Sequence, residues 1–215
     1  IAPSWRPDLA HKTDLAEEVA RIVGYDRIGT RLPVAPPGRG LTKNQKLRRA
    51  VLTAAVGAGG TEVLTYPFVS QETNDYFVDA ASSVKLANPM QEEVGQLRLT
   101  ILGGLLDAAR RNLSRGLTDL SIFEEGSVFI PTAGSSKTFE LPSAVERPSA
   151  EVLASIQATL PLQPKRFAAV LTGERVKQQV GVVSASYDYS DAIALASNVV
   201  SSTGSELTVR QGQAK

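Results

Sequence analysis

The sequence has no cysteine, one histidine, one methionine and one tryptophan, and aromatic residues make up only 6% of it. The lack of cysteine excludes disulfides, thiolate zinc sites and a cysteine nucleophile, and it fits a reducing, cytoplasmic setting. A serine–histidine–aspartate triad would have to use His11, which lies in a loop-like stretch, and no nucleophile-elbow sequence is present to partner it. Net charge is +1 over 215 residues, too small for a nucleic-acid footprint spread across the whole surface, so only local basic patches remain open. The apolar runs fall short of a membrane span, and no basic-then-apolar segment opens the chain. A chain that begins at Ile1 and carries its only methionine at Met90 reads as an excerpt of something longer.

What is present is ordinary globular material, 42% hydrophobic and 21% charged, enough for one sizeable core or a core with a small satellite. After a proline-rich opening, Thr13 or Asp14 can cap a helix, with Asp14 and Glu17 spaced as a capping box. Leu15, Val19, Ile22 and Val23 form its apolar stripe, and Gly24 sits at the glycine stop. Residues 31–40, RLPVAPPGRG, are too rich in proline and glycine for helix or central strand and predict a linker. Thr42 and Gln45 form a second capping box, opening a helix that ends at Gly57, Gly59 and Gly60.

The densest stretch runs from Leu86 to Ile130. It predicts a strand over 83–87, an Asn88-Pro89 turn, and a helix carrying Leu102, Leu105, Leu106, Ala109 and Leu113. Strand pattern follows over 118–123 and 128–130, with Gly126 as a bulge or tight turn between them. Further on, Ser149 and Ser190 can cap helices, 167–171 reads as a strand buried on both faces, and 180–183 and 207–209 as shorter strands. Helices and strands mix without a βαβ rhythm, so an α+β fold with an antiparallel or mixed sheet flanked by helices is expected.

Three constellations carry chemistry. Asp8, Asp14, Glu17 and Glu18 place four carboxylates within eleven residues, a set of oxygen ligands that Mg²⁺ could use. Acids at a helix N-terminus also stabilise the dipole with no metal, by about 0.3–1 kcal/mol each, and spacing alone favours that explanation. Lys46, Arg48 and Arg49, with Arg110, Arg111 and Arg115, could meet phosphates, although a solvated helix face is the commoner use of such residues. Neither GxxxxGK[ST] nor GxGxxG occurs, and tight helix packing explains Gly103-Gly104 better than phosphate contact does. No catalytic or cofactor-binding residue is assigned.

The motif PSWRPDL from Pro3 and the run DLAEEVARIVGYDRI from Asp14 resemble a small domain of the bacterial phenylalanine–tRNA ligase beta subunit. LANPMQEEVGQLRLTILGGLLDAARRNLSRG, followed by IFEEGSVF, resembles the next domain of the same family, and YPFVS at Tyr66 and RFAAVLTG at Arg166 also fit. The resemblance implies residues 1–30 as the C-terminal part of a small, acidic, winged-helix-like metal-binding domain and 31–40 as linker. It implies 41–215 as a non-catalytic copy of the class II synthetase fold, truncated at its C-terminus. It further implies an alpha subunit that attaches phenylalanine to tRNA(Phe) with ATP, in an (αβ)2 heterotetramer. A Mg²⁺ shared with that subunit would fall on Asp8, Asp14, Glu17 and Glu18, and the resemblance reverses the preference against a metal there. In active class II cores an arginine that grips ATP follows the glycine-containing strand. Here Ile130 falls at that place, and Arg98 alone is no ATP clamp. The region is then expected to support alpha-subunit assembly and tRNA positioning. A stand-alone nucleic-acid-binding module or a homodimeric adaptor is the alternative.

Overall fold

The computed structural model describes residues 2–77, 83–135, 142 and 145–212. It divides into two compact units, Ile1–Gly40 and Leu41–Lys215.

In the first unit the one long element is α1, Lys12–Val23. Its N-cap is His11, not Thr13 or Asp14. Asp14 stands inside the first turn and turns back, its Oδ2 accepting from the amides of His11 at 2.6 Å and Ala10 at 3.0 Å. A carboxylate there serves the otherwise unpaired amides from inside the helix, so the helix starts earlier than the Asp14–Glu17 spacing suggests. Gly24 ends it with φ +106°, its amide reaching Ala20 O at 2.9 Å. The stripe of Leu15, Val19, Ile22 and Val23 is present but open, and no residue of α1 is buried. A 3-10 turn, Tyr25–Arg27, follows, and 28–42 hold no regular structure.

The second unit is a three-layer α+β body. Its helices are α2 (Lys43–Gly57), α3 (Gln71–Phe77), α4 (Leu102–Leu113), α5 (Ala150–Ala158) and α6 (Tyr189–Ser202). Its strands are β1 (Thr61–Glu62), β2 (Phe68–Val69), β3 (Gln96–Leu97), β4 (Leu120–Ser127), β5 (Lys165–Thr172), β6 (Glu174–Val176) and β7 (Ala185–Ser186). The main sheet has order β1-β4-β5, with β1 parallel and β5 antiparallel to β4. Two-stranded pairs β2-β3 and β6-β7 complete the set.

Alternation along the strands decides which helix each face receives. Leu120 and Ile122, with Ala168 and Val170, pack against Ile101, Leu105, Ala108 and Ala109 of the α4 layer. Phe123, with Phe167, Ala169 and Leu171, packs against Ala55 of α2 and Leu195 and Val199 of α6. Phe123 and Phe167 stack at 5.5 Å between centroids. Capping fixes the helix ends: the Thr42 Oγ1 accepts from Gln45 N at 3.3 Å while Gln45 Oε1 accepts from Thr42 N at 2.9 Å, and the Ser149 Oγ accepts from Val152 N.

Several expectations need correcting. Gly126 is neither bulge nor turn: β4 runs straight through it, in unbroken register from Leu120↔Thr172 to Ser127↔Lys165. The strand over 83–87 reduces to a single bridge, Lys85↔Gln96, and the one over 180–183 to a tight turn bridged by Gln179 and Val182. Residues 207–209 hold no strand, and the cap of α6 is Asp188, not Ser190. The run over 167–171 is a strand, but its residues are half-buried, because helices cover both faces only partly.

Candidate functional site

The acidic set of the first unit lies around Arg6, a residue the carboxylate pattern does not flag. Arg6 Nε donates to Asp8 Oδ1 at 3.0 Å and Oδ2 at 3.1 Å. Its Nη2 donates to Asp8 Oδ2 at 2.7 Å and to Glu18 Oε1 at 2.5 Å. The second Glu18 oxygen, Oε2, accepts from Arg21 Nη2 at 2.6 Å. The Arg6 guanidinium holds the carboxyls of Asp8 and Glu18 below the usual carboxylate range, with Arg21 adding to the effect on Glu18. Arg6 is itself pushed up, first by Asp8 and then by Glu18.

The other two carboxylates serve elsewhere. Asp14 is committed to the backbone amides at the start of α1, and Glu17 Oε1 accepts from the Tyr25 hydroxyl at 2.6 Å, which raises the tyrosine's pKa. The structure thus brings Asp8 and Glu18 together on a guanidinium and sends Asp14 and Glu17 to separate partners. Among the described residues no three His, Cys, Asp or Glu side chains are gathered so as to hold a metal ion. Arranged in this way, the four acids do not fit one Mg²⁺, whose octahedral shell sets oxygens at about 2.0–2.1 Å.

In the second unit the expected framework of an active site is built around a buried ion pair. Arg98 Nη1 meets Glu124 Oε1 at 2.7 Å, the two side chains 6% and 2% exposed. The guanidinium also donates to Thr65 Oγ1 at 3.0 Å and, through Nε, to Ser127 O at 3.0 Å. Thr65 in turn donates to Glu124 Oε2 at 2.6 Å. Gly126 and Gly104 are explained by this assembly, and Gly103 by the packing of α3. A Cβ at Gly126 would strike the Arg98 guanidinium and come within 3.0 Å of Glu124 Oε1. A Cβ at Gly104 would meet Thr65 Cβ at 2.8 Å, and one at Gly103 would meet Thr73 Cγ2 at 2.7 Å. Ile130 exchanges backbone bonds of 2.9 Å with Leu162 in both directions. A nearby cleft of about 400 Å³, lined by residues 99–102, Val128 and 166–169, carries Arg166 as its one charge.

The basic residues divide. Arg48 Nε is bound by Glu125 Oε2 at 2.6 Å, and Arg110 and Arg111 both pair with Asp107. Lys46, Arg49 and Arg115 are exposed and have no ion-pair partner among the described residues. Sequence reasoning missed Arg6, Thr65 and Glu124. The signal for Glu124 is Glu124-Glu125 inside an apolar strand: alternation sends one glutamate to each covered face, so each needs a cation.

Comparison with known proteins bears on both units. A family model described as the phenylalanyl tRNA synthetase beta chain CLM domain matches residues 28–215, and one described as the tRNA synthetase B5 domain matches residues 1–25. The chain belongs to the phenylalanine–tRNA ligase beta-subunit family. Among the relatives of that name, the protein of Leifsonia xyli subsp. xyli is 47% identical over 95% of this chain and 24% of its own length. That of Streptomyces avermitilis is 45% identical over 98% of the chain and 26% of its own length. That of Thermobifida fusca is 43% identical, with the same two coverages. The chain therefore spans about a quarter of the length of these beta-subunit relatives. Among the described residues no helix is long and apolar enough to cross a membrane.

Proposed function

We propose that this chain is the part of a phenylalanine–tRNA ligase beta subunit that serves architecture and not chemistry. In this reading the Leu41–Lys215 unit is a class II synthetase-like core, an antiparallel sheet flanked by helices, that supports an alpha subunit. The alpha subunit attaches phenylalanine to tRNA(Phe) with ATP, and the assembled cytoplasmic (αβ)2 heterotetramer positions the tRNA. The observation that carries the reading is the fate of the cations. Arg98, the buried arginine of the framework, is spent on Glu124 in the core, and Ile130 offers a backbone bond where a nucleotide clamp needs positive charge. A triphosphate would meet only Arg166 in the adjoining cleft. The names of the relatives support the subunit assignment.

Two measurements test it. The purified chain should show no phenylalanine-dependent ATP–pyrophosphate exchange, and exchange above background would overturn the non-catalytic part. Co-expressed with an alpha subunit, the chain should copurify with it, whereas failure to do so favours an adaptor without a synthetase role. A second reading, direct RNA contact by this region, has in its favour the exposed Lys46, Arg49 and Arg115, which have no ion-pair partner among the described residues. Steep salt dependence of tRNA binding by the chain alone would support it. A magnesium ion shared with the alpha subunit at Asp8, Asp14, Glu17 and Glu18 belongs to the proposal only with Arg6 displaced.

A further inference from the structure

The main sheet ends on one side in a strand of two residues and on the other in a strand of eight. β1 is the short edge. β5, Lys165–Thr172, is the long one, paired with β4 along its length and with no other strand among the described residues. Alternate residues of β5 therefore turn their amides and carbonyls away from the sheet, where a further strand can bond to them. The usual protections of such an edge are nearly absent. Its register with β4 is unbroken by any bulge, and its only charges, Lys165 and Arg166, stand at the first end after Pro164. From Phe167 to Leu171 it is uncharged and apolar. The edge is also open. The cleft beside it is lined by four consecutive residues, 166–169. Neighbouring side chains of a strand point to opposite faces, so a cleft that touches all four meets the edge and not one face.

We propose that a second copy of this chain pairs with that edge, β5 against β5 in antiparallel order, so that two three-stranded sheets become one. The inequality of the edges selects this occupant. Laid on the β1 edge of another copy, β5 would find two residues to pair with, whereas β5 on β5 is self-complementary and leaves no long edge open. A two-fold axis normal to the sheet sets one residue opposite its own copy. The axes that pair most of the strand fall on Ala168, joining Lys165–Leu171, or on Ala169, joining Arg166–Thr172. About Ala168, Arg166 faces Val170 of the other copy and Lys165 faces Leu171. About Ala169, Arg166 faces Thr172. Neither register sets cation against cation, the arrangement that would oppose pairing. Both keep the faces: Phe167, on the side of α2 and α6, meets Ala169 or Leu171 from the same layer of the other copy. The inference concerns the chain by itself and does not rest on the alpha-subunit reading.

The test uses the 215-residue chain, which has no cysteine of its own. Sedimentation equilibrium from about 1 to 100 μM should show a reversible monomer–dimer equilibrium, and a monomer throughout would overturn the proposal. So would assemblies that keep growing with concentration, since self-pairing of β5 closes at two copies. Ala168→Cys, Ala169→Cys and, on the exposed surface of α6, Ser201→Cys are then oxidised under the same conditions. One of the two alanine positions should give disulfide dimer at least about tenfold faster than Ser201→Cys, because pairing holds the two thiols at high effective concentration. Equal rates at all three positions would put the dimer contact elsewhere and overturn it. Isotope-filtered NMR on a mixture of labelled and unlabelled wild-type chain needs no variant. It should show contacts between copies at Ala168 or Ala169, and a dimer without them counts against the pairing even where a cysteine variant fails to fold.

Discussion

Arg98 is the residue on which most of the second unit's polar interior depends. Its guanidinium joins the segment after β1 through Thr65, the middle of β4 through Glu124 and the end of β4 through the carbonyl of Ser127. Breaking such a pair leaves a charge in a site with almost no water, and the general cost is about 3–5 kcal/mol. We therefore expect Arg98→Met and Glu124→Leu each to lower the unfolding free energy by about that amount, measured by urea denaturation. The double variant should recover part of the loss, since no charge is left buried, although the Thr65 hydroxyl and the Ser127 carbonyl lose these partners. Single losses below about 1 kcal/mol would mean that water reaches the pair and that it is not an anchor. Gly126→Ala belongs to the same scale. Its methyl group would press on both partners of the pair, and a loss of about 1–3 kcal/mol is expected from overpacking, with less in a background where Arg98 is already methionine. The sequence made Gly126 look like a break in the strand. Its actual reason, room for a guanidinium from another segment, is a tertiary fact that no local pattern carries.

At the scale of elements, legibility followed how local the cause was. The starts of α2 and α5 were readable because Thr42 with Gln45, and Ser149 with Val152, complete their bonds within three residues. The start of α6 was misplaced by two, since Asp188 and Ser190 are both capping types and only the extended backbone at Asp188 decides between them. The short strands expected over 83–87, 180–183 and 207–209 failed for a different reason. A strand exists only with a partner, and apolar alternation says nothing about whether one arrives. The α6 cap also gives a pH prediction. The Asp188 carboxyl accepts from the Ser190 hydroxyl at 2.5 Å and the Ser190 amide at 2.7 Å, and these bonds hold it below its ordinary 3.8. A carboxyl depressed in the folded state contributes stability above its unfolded value and loses it as pH falls through the folded one. Stability should thus fall on acidification below about pH 4 with a component that Asp188→Asn removes, because the amide caps without titrating. Thermal melts of both proteins between pH 2 and 7 check this, and parallel curves would rule Asp188 out as a contributor.

At the scale of the whole molecule, the sequence divided the chain by composition and placed the Asp8, Asp14, Glu17 and Glu18 set on the first forty residues, but it could not weigh how firmly each unit is held. The difference lies in burial. β4 has six of its eight residues buried and its full length paired with β5. α1 has none buried, and its apolar stripe is between about half and three-quarters exposed, from Val23 at 49% to Ile22 at 77%. A helix of twelve residues has little stability of its own, because nucleation costs are repaid by tertiary packing more than by propensity. Among the described residues, what remains to hold α1 is its capping by Asp14, the Tyr25 hydroxyl bond to Glu17 and the Arg6–Glu18–Arg21 bridge, all at or near the surface. Native-state hydrogen exchange of the 215-residue chain should separate the two units. Amides of β4 and β5 should exchange only through global unfolding, while those of α1 should exchange within about a factor of ten to a hundred of an unstructured peptide. Charge screening sharpens the expectation: raising salt from about 0.05 to 0.5 M shortens the Debye length and should speed exchange in α1 while leaving β4 nearly unchanged. Equal protection of α1 and β4 would show that the open stripe is not the weak point its exposure implies, and that the surface bridges suffice to hold the helix.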